Sequence, residues 1–194
     1  MKIDKNAALL LIDVQKAFDD PRMGKRNNPQ AEANIARLLA AWRDSGRPII
    51  HVRHDSVEPQ SMLRPGEPGN EIKAEARPRD GEPVIAKHVN SAFIGTDLEQ
   101  RLHTAKQNSV VIVGLTTDHC VSTTARMAGN LGFNTVVVAD ATAAFERQGF
   151  DGSVVPADEI YRGALASLHG EFAQVVTTEQ VLAELQYSTK ASSG

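Results

Sequence analysis

Ser109-Val-Val-Ile-Val-Gly114-Leu-Thr-Thr-Asp-His-Cys120-Val121 joins two kinds of sequence within one short stretch. The apolar, β-branched run Ser109–Val113 reads as a buried strand. From His119 to Leu131, the residues Val121, Ala125, Ala128 and Leu131 fall near helical spacing, and Gly132 stops the helix. A strand that feeds a helix through a short turn is half of a βαβ unit. Cys120, the only cysteine, stands at the junction. Unpaired backbone N–H groups and the positive end of the macrodipole there favour a reactive thiolate. Free cysteine is also among the most buried residue types, so it is the junction rather than the residue type that marks Cys120.

The same alternation runs through the whole chain. Strands are expected at Ala7–Ile12, Pro48–Val52, Pro83–Ala86, Ser109–Val113, Thr135–Ala139 and, more weakly patterned, Phe172–Thr177. Between them, Asn28 caps a helix with Pro29 at its first position, running to Ser45 before Gly46. Thr96-x-x-Glu99 forms a capping box for a helix toward Lys106. Further helices are expected at Asp158–His169 and Thr178–Tyr187. The pattern specifies an α/β fold of three layers, α/β/α, with a Rossmann-like, doubly wound sheet of about six mainly parallel strands. A single domain over 1–187 is expected, with a flexible, small and polar tail over 188–194. Residues 54–80, rich in proline, glycine and charge, read as a long surface excursion, either a lid or a disordered insertion. Between Glu146 and Pro156, Gly149 and Gly152 suggest irregular backbone.

Composition narrows the partners. With 41% hydrophobic and 23% charged residues the chain has the balance of a globular protein. A net charge of -3 without a basic cluster offers no footprint for nucleic acid or an anionic membrane. The apolar run Ala7–Ile12 ends at Asp13, too soon for a signal or membrane segment. One cysteine forms no internal disulfide, which fits the reducing cytoplasm. No G-x-G-x-x-G, Walker A loop or G-x-S-x-G elbow occurs, which disfavours dinucleotide dehydrogenases, P-loop enzymes and serine hydrolases of the elbow type.

In an open α/β sheet, ligands bind beyond the C-terminal ends of the strands. Asp13 follows the first strand, Lys87 the third and Cys120 the fourth. Singly, Asp13 could end its strand, Lys87 face solvent and Cys120 be packed; a carboxylate, an amine and a thiol at one rim are harder to ascribe to chance. His119 is badly aimed as a base, because neighbouring helical positions point about 100° apart. His51, His54 and Asp55 raise a metal question, but His51 and His54 on an extended run face opposite ways.

Leu10-Leu11-Ile12-Asp13-Val14-Gln15-x-x-Phe18, Lys87-x-x-x-Ser91-x-Phe93 and Gly114-Leu-Thr-Thr-Asp-His-Cys120-Val resemble, in order, three motifs of the isochorismatase-like cysteine hydrolases. That family includes nicotinamidases, N-carbamoylsarcosine amidohydrolases and maleamate amidohydrolases. The resemblance spans about Ala7 to Leu182. Within it, Thr123–Gly132 and His169–Ala173 look most like the streptothricin-hydrolase branch.

The resemblance implies a triad of Asp13, Lys87 and Cys120, and a cis peptide bond between Leu115 and Thr116. The backbone N–H groups of Thr116 and Cys120 would form an oxyanion hole. It implies a metal-free, cofactor-free hydrolysis of a small-molecule amide through a thioester, and a homo-oligomer, dimer or tetramer. Cys120 points away from the vinyl-ether chemistry of true isochorismatases, which lack it. Arg53-His54-Asp55 departs from the Asp-x-His order of metal-binding nicotinamidases. Phe18 and Phe93 could wall a substrate pocket or pack the core, and His119 could touch substrate. The alternative outside enzymology is an idle binding module on the same fold. A redox-sensing thiol protein would lack a resolving cysteine.

Overall fold

The computed structural model describes residues 3–190. Strands β1 (Ala8–Ile12), β2 (Ile49–His54), β3 (Val84–Lys87), β4 (Ser109–Leu115), β5 (Asn134–Ala143) and β8 (Gln174–Val176) form one sheet in the order β3-β2-β1-β4-β5-β8. Every neighbouring pair is parallel. The order reverses between β1 and β4, which makes their C-terminal ends the topological switch point.

Burial explains the apolar runs. Every residue of β1 and β4 is buried, as expected of central parallel strands covered on both faces. Along β1 the side chains alternate between two cores. Ala8, Leu10 and Ile12 pack with Leu98 and Leu102 of α2 (Leu98–Thr104), Ala125 and Ala128 of α3 (Ser122–Asn130), and Leu165 and Leu168 of α4 (Ala157–Leu168). Leu9 and Leu11 pack with Ile35, Leu38, Leu39 and Trp42 of α1 (Ala31–Asp44) and with Val181 and Leu185 of α5 (Thr178–Lys190). Trp42 is fully buried because its indole N–H donates to the Ala7 carbonyl at 3.0 Å.

Four local expectations change. Asn28 does not cap α1: it adopts a positive φ of 45° and its side chain donates to the Thr142 carbonyl at 2.6 Å, so the helix begins at Ala31. Thr96 accepts from the Leu98 N–H at 3.3 Å and donates to the Ala92 carbonyl at 2.6 Å, serving a helix that opens two residues later. Between Glu146 and Pro156 the chain is a small antiparallel ribbon of β6 (Arg147–Gln148) and β7 (Val154–Val155). At the C-terminal end, α5 continues through Lys190, past Tyr187, and residues 191–194 of the expected tail lie outside the described residues.

The excursion after β2 is folded back onto the body by buried polar groups. The Asn70 amide donates to the carbonyls of His54 at 2.9 Å and Leu63 at 2.8 Å. Lys73 is buried, its ammonium 2.6 Å from both Asp19 and Glu32. Glu32 also takes a paired contact from Arg26 at 2.6 Å. Burial alone would raise the Glu32 carboxyl, but hydrogen bonds from Arg26 and Lys73 outweigh it and hold the group at about 2. A carboxyl lowered in the folded state contributes stability that is complete above its ordinary value of 4.5 and lost as pH falls toward about 2. We therefore expect the melting temperature to fall across that window, and Glu32→Gln to flatten the slope in thermal melts. A slope unchanged by the substitution would disprove the contribution of this anchor.

Candidate active site

Three strand ends deliver the chemistry. Asp13 leaves β1 with φ of 49°, a left-handed conformation that aspartate tolerates better than most residues. Its backbone N–H still bonds Val52 at 2.9 Å, while its carboxylate turns into the body and is wholly buried. Close contact between β1 and β4 depends on Gly114. At φ of 126° it faces Ile12, and a Cβ there would lie 2.0 Å from the Ile12 carbonyl oxygen. Any side chain at Gly114 would push β4 away from Asp13. Past Gly114, the Leu115–Thr116 peptide bond is cis. A π-helical turn over Thr117–Val121 then carries Cys120 into α3. Within that turn the Thr116 carbonyl accepts from the N–H groups of His119 at 3.3 Å and Val121 at 3.2 Å, stepping past the Cys120 N–H between them.

Lys87, the last residue of β3, is also wholly buried. Its ammonium lies 2.7 Å from Asp13 Oδ2 and 3.4 Å from Cys120 Sγ. The ammonium forms a wholly buried ion pair with the Asp13 carboxylate. It also donates to the Val89 carbonyl at 3.1 Å. The carboxylate, amine and thiol expected at one rim are thus brought into mutual contact.

The thiol's acidity differs from the expectation. Burial and the neighbouring Asp13 carboxylate push the Cys120 thiol up, and Lys87 only partly offsets them. Burial likewise raises the Asp13 carboxyl against the pull of Lys87. The helix-terminal field that favours a thiolate is a surface-scale effect, and a dry site beside a carboxylate overrides it. The surroundings thus favour the thiol over the thiolate, next to a carboxylate disposed to take its proton.

His54, weighed in the sequence only as a metal ligand, meets the lysine of the site instead. It ends β2 directly opposite Lys87 in the β2–β3 register. Its Nδ1 lies 2.9 Å from Lys87 Nζ and 3.9 Å from Asp13 Oδ2. Level strand ends were the available signal, since Lys87 and His54 close adjacent parallel strands. Gln15 fixes this corner: its side-chain oxygen accepts from the His54 N–H at 2.9 Å and its amide donates to the His54 carbonyl at 3.1 Å.

Of the other expected contributors, His119, Phe18 and Phe93 have partners of their own. His119 is half-exposed, its ring 3.4 Å from Asp118 and 3.4 Å from the Arg147 guanidinium. Phe18 stacks on Phe145 at 6.2 Å between centroids, and Phe93 on Phe133 at 5.8 Å, so each has a packing partner. Thr116 Oγ1 is buried without a partner among the described residues. His51 turns away to Glu82 at 2.9 Å and Asp55 binds Arg53 at 2.8 Å, so the His51, His54 and Asp55 set does not converge.

Among the described residues, Asp13, His54 and Cys120 bring ligand-type atoms within 4.8 Å of one another. A divalent metal does not fit between them, because the Lys87 ammonium already lies within 3.4 Å of all three. The resident cation of this site is a lysine. No described helix is long and apolar enough to cross a membrane.

A doubly wound α/β protein with a buried carboxylate, amine and thiol at its switch point is the class defined by fold and site. The chain belongs to the isochorismatase family, whose domain model matches residues 7–180. The isochorismatase family protein YrdC of Bacillus subtilis is 47% identical over 180 residues, covering 93% of this chain and 96% of that protein. A solved hydrolase of the family from Chromobacterium violaceum superposes with a TM-score of 0.94 at 47% identity, over 96% of this chain and 97% of that one. Streptothricin hydrolase of Streptomyces noursei is 32% identical over 72% of this chain and 50% of its own length. A nicotinamidase of Arabidopsis thaliana and a maleamate amidohydrolase of Pseudomonas putida, at 27% and 25% identity, show that members of the family include amidohydrolases.

Proposed function

We propose that this family member is a cysteine amidohydrolase that cleaves a C–N amide bond of a small molecule through a thioester. The observation that carries the reading is the convergence of Asp13, Lys87 and Cys120, with one buried ammonium 2.7 Å from the carboxylate and 3.4 Å from the sulfur. Asp13 takes the Cys120 proton as the sulfur attacks the amide carbon. Lys87 neutralises the negative charge that passes between oxygen and sulfur. As the carbonyl oxygen becomes an oxyanion, the Thr116 and Cys120 N–H groups bind it, an effect of about 3–4 kcal/mol per donor in comparable sites. Protonated Asp13 then returns the proton to the leaving nitrogen, and ammonia or an amine departs. In the second half, Asp13 takes a proton from water, hydroxide adds to the thioester, and the acid leaves with the thiol restored.

A carboxyl raised by burial suits both duties, since a proton carrier works best when its affinity lies near the operating pH. The test is a panel of small linear amides and lactams followed by ammonia or amine release. Quenched reactions are examined by intact-mass spectrometry for an acyl adduct on Cys120. We expect release on at least one class and an adduct that disappears with Cys120→Ala. Silence across a broad panel, with no adduct formed, would favour a binding module on the same fold.

A further inference from the structure

Lys87 Nζ has three protons and four acceptors around it: Asp13 Oδ2 at 2.7 Å, His54 Nδ1 at 2.9 Å, the Val89 carbonyl at 3.1 Å and Cys120 Sγ at 3.4 Å. An ammonium only donates, so His54 Nδ1 must present a lone pair, which places the ring proton on Nε2. The imidazole is therefore a neutral acceptor directed at the one cation of the site. Its backbone is held on both sides by the Gln15 amide, so the ring is supported by buried structure rather than by a loose loop. Proton transfer and attack need only Asp13, Lys87 and Cys120, and leave this contact without a task.

We propose that His54 is a positioning residue that fixes the Lys87 ammonium where it faces Asp13 and Cys120 together. This rests on the cysteine-hydrolase reading of the site. Without the imidazole acceptor the ammonium has one strong partner fewer among the buried groups, and it settles on Asp13 and the Val89 carbonyl, away from the sulfur. The role requires a neutral ring. Burial first, then the charge of Lys87, lowers the His54 imidazole to about 4, which leaves it neutral through the ordinary working range. The charged and titratable groups facing His54 are Lys87 from β3, Asp13 at the end of β1 and Cys120 from the turn before α3, the carboxylate and the sulfur each within 4.8 Å of its ring, with Asp55 and His88 beside it.

The test uses alkylation of Cys120, the only thiol in the chain, and so needs no substrate. Iodoacetamide rates are measured against pH for the unsubstituted protein, His54→Leu, His54→Asn and His54→Gln, with circular dichroism and thermal melts on each. An asparagine side chain places its oxygen near the position of Nδ1, whereas glutamine reaches toward Nε2. For His54→Leu we expect a profile displaced to higher pH, with alkylation near neutrality about tenfold slower, the effect of one unit in thiol acidity. His54→Asn should recover most of the rate and His54→Gln less. A leucine profile that matches the wild type, or that moves to lower pH, would overturn the proposal. In the latter case the imidazole would be drawing the Lys87 proton away from the sulfur. If His54→Leu does not fold, the order of the asparagine and glutamine variants decides, and equal rates for those two would also overturn it. A failure of the hydrolase reading shows elsewhere, as amide turnover that survives Cys120→Ala.

Discussion

Cys120→Ala is expected to abolish amide turnover, by roughly 10⁴-fold or more, the scale seen when a covalent nucleophile is removed from a preorganised site. The fold should survive. The side chain is small, it packs in the larger core beside Phe93 and Val121, and its loss removes one heavy atom. A stability change on the order of 1 kcal/mol follows from ordinary core substitutions. Removal of the thiol takes away a buried group whose proton affinity Asp13 raises, and with it a hydrogen bond that lowers the Asp13 carboxyl. The measurement is ammonia release on a substrate found in the amide panel, with thermal melts as the folding control. Near-normal turnover by a folded Cys120→Ala protein would end the nucleophile assignment, whatever Asp13 and Lys87 do.

How much of this was legible before the structure depends on which physical signal each residue carries. All six strands of the main sheet were visible, the central ones because parallel strands buried on both faces leave continuous apolar runs such as Leu9–Ile12 and Val110–Val113, and the edge strands β3 and β8 as shorter runs. Asp13, Lys87 and Cys120 were legible because each lies at or just past the end of such a run, where the chain must turn at the rim of the sheet. His54 was hidden for a different reason. As the last residue of β2 it resembled one of two histidines in a charged stretch, and only the β2–β3 register puts it level with Lys87. Gln15 was hidden too, since its role is to cap the peptide of a residue far along the chain. The ribbon of β6 and β7 is too short for alternation to register. The acidity of Cys120 was misjudged because the helix terminus is a local feature, whereas desolvation and the Asp13 field depend on tertiary packing.

Asp13→Asn separates thiolate formation from turnover, and the two should move in opposite directions. Turnover is expected to be lost as completely as with Cys120→Ala, because the amide neither takes the thiol proton nor returns it to the leaving nitrogen. Alkylation of Cys120 should instead become faster at a given pH. Burial pushes the thiol up most and the carboxylate adds to it, so without the carboxylate Lys87 is opposed by burial alone. Stability should fall, since Lys87 and Asp13 are both wholly buried and the substitution leaves an ammonium with no counter-charge. Breaking a buried pair on one side costs about 3–5 kcal/mol, reduced here to the extent that Lys87 sheds its proton. That loss has a limit set by the same alkylation experiment: if Lys87 became neutral, the thiol would lose its one cationic neighbour and the expected acceleration would vanish. Faster alkylation together with absent turnover therefore identifies Asp13 as the proton carrier and Lys87 as a cation that remains charged. Retained turnover would show that the carboxylate is not the proton carrier, and a thiol profile that stays in place while turnover disappears would show either that the carboxylate does not act on the sulfur or that Lys87 has lost its charge with it.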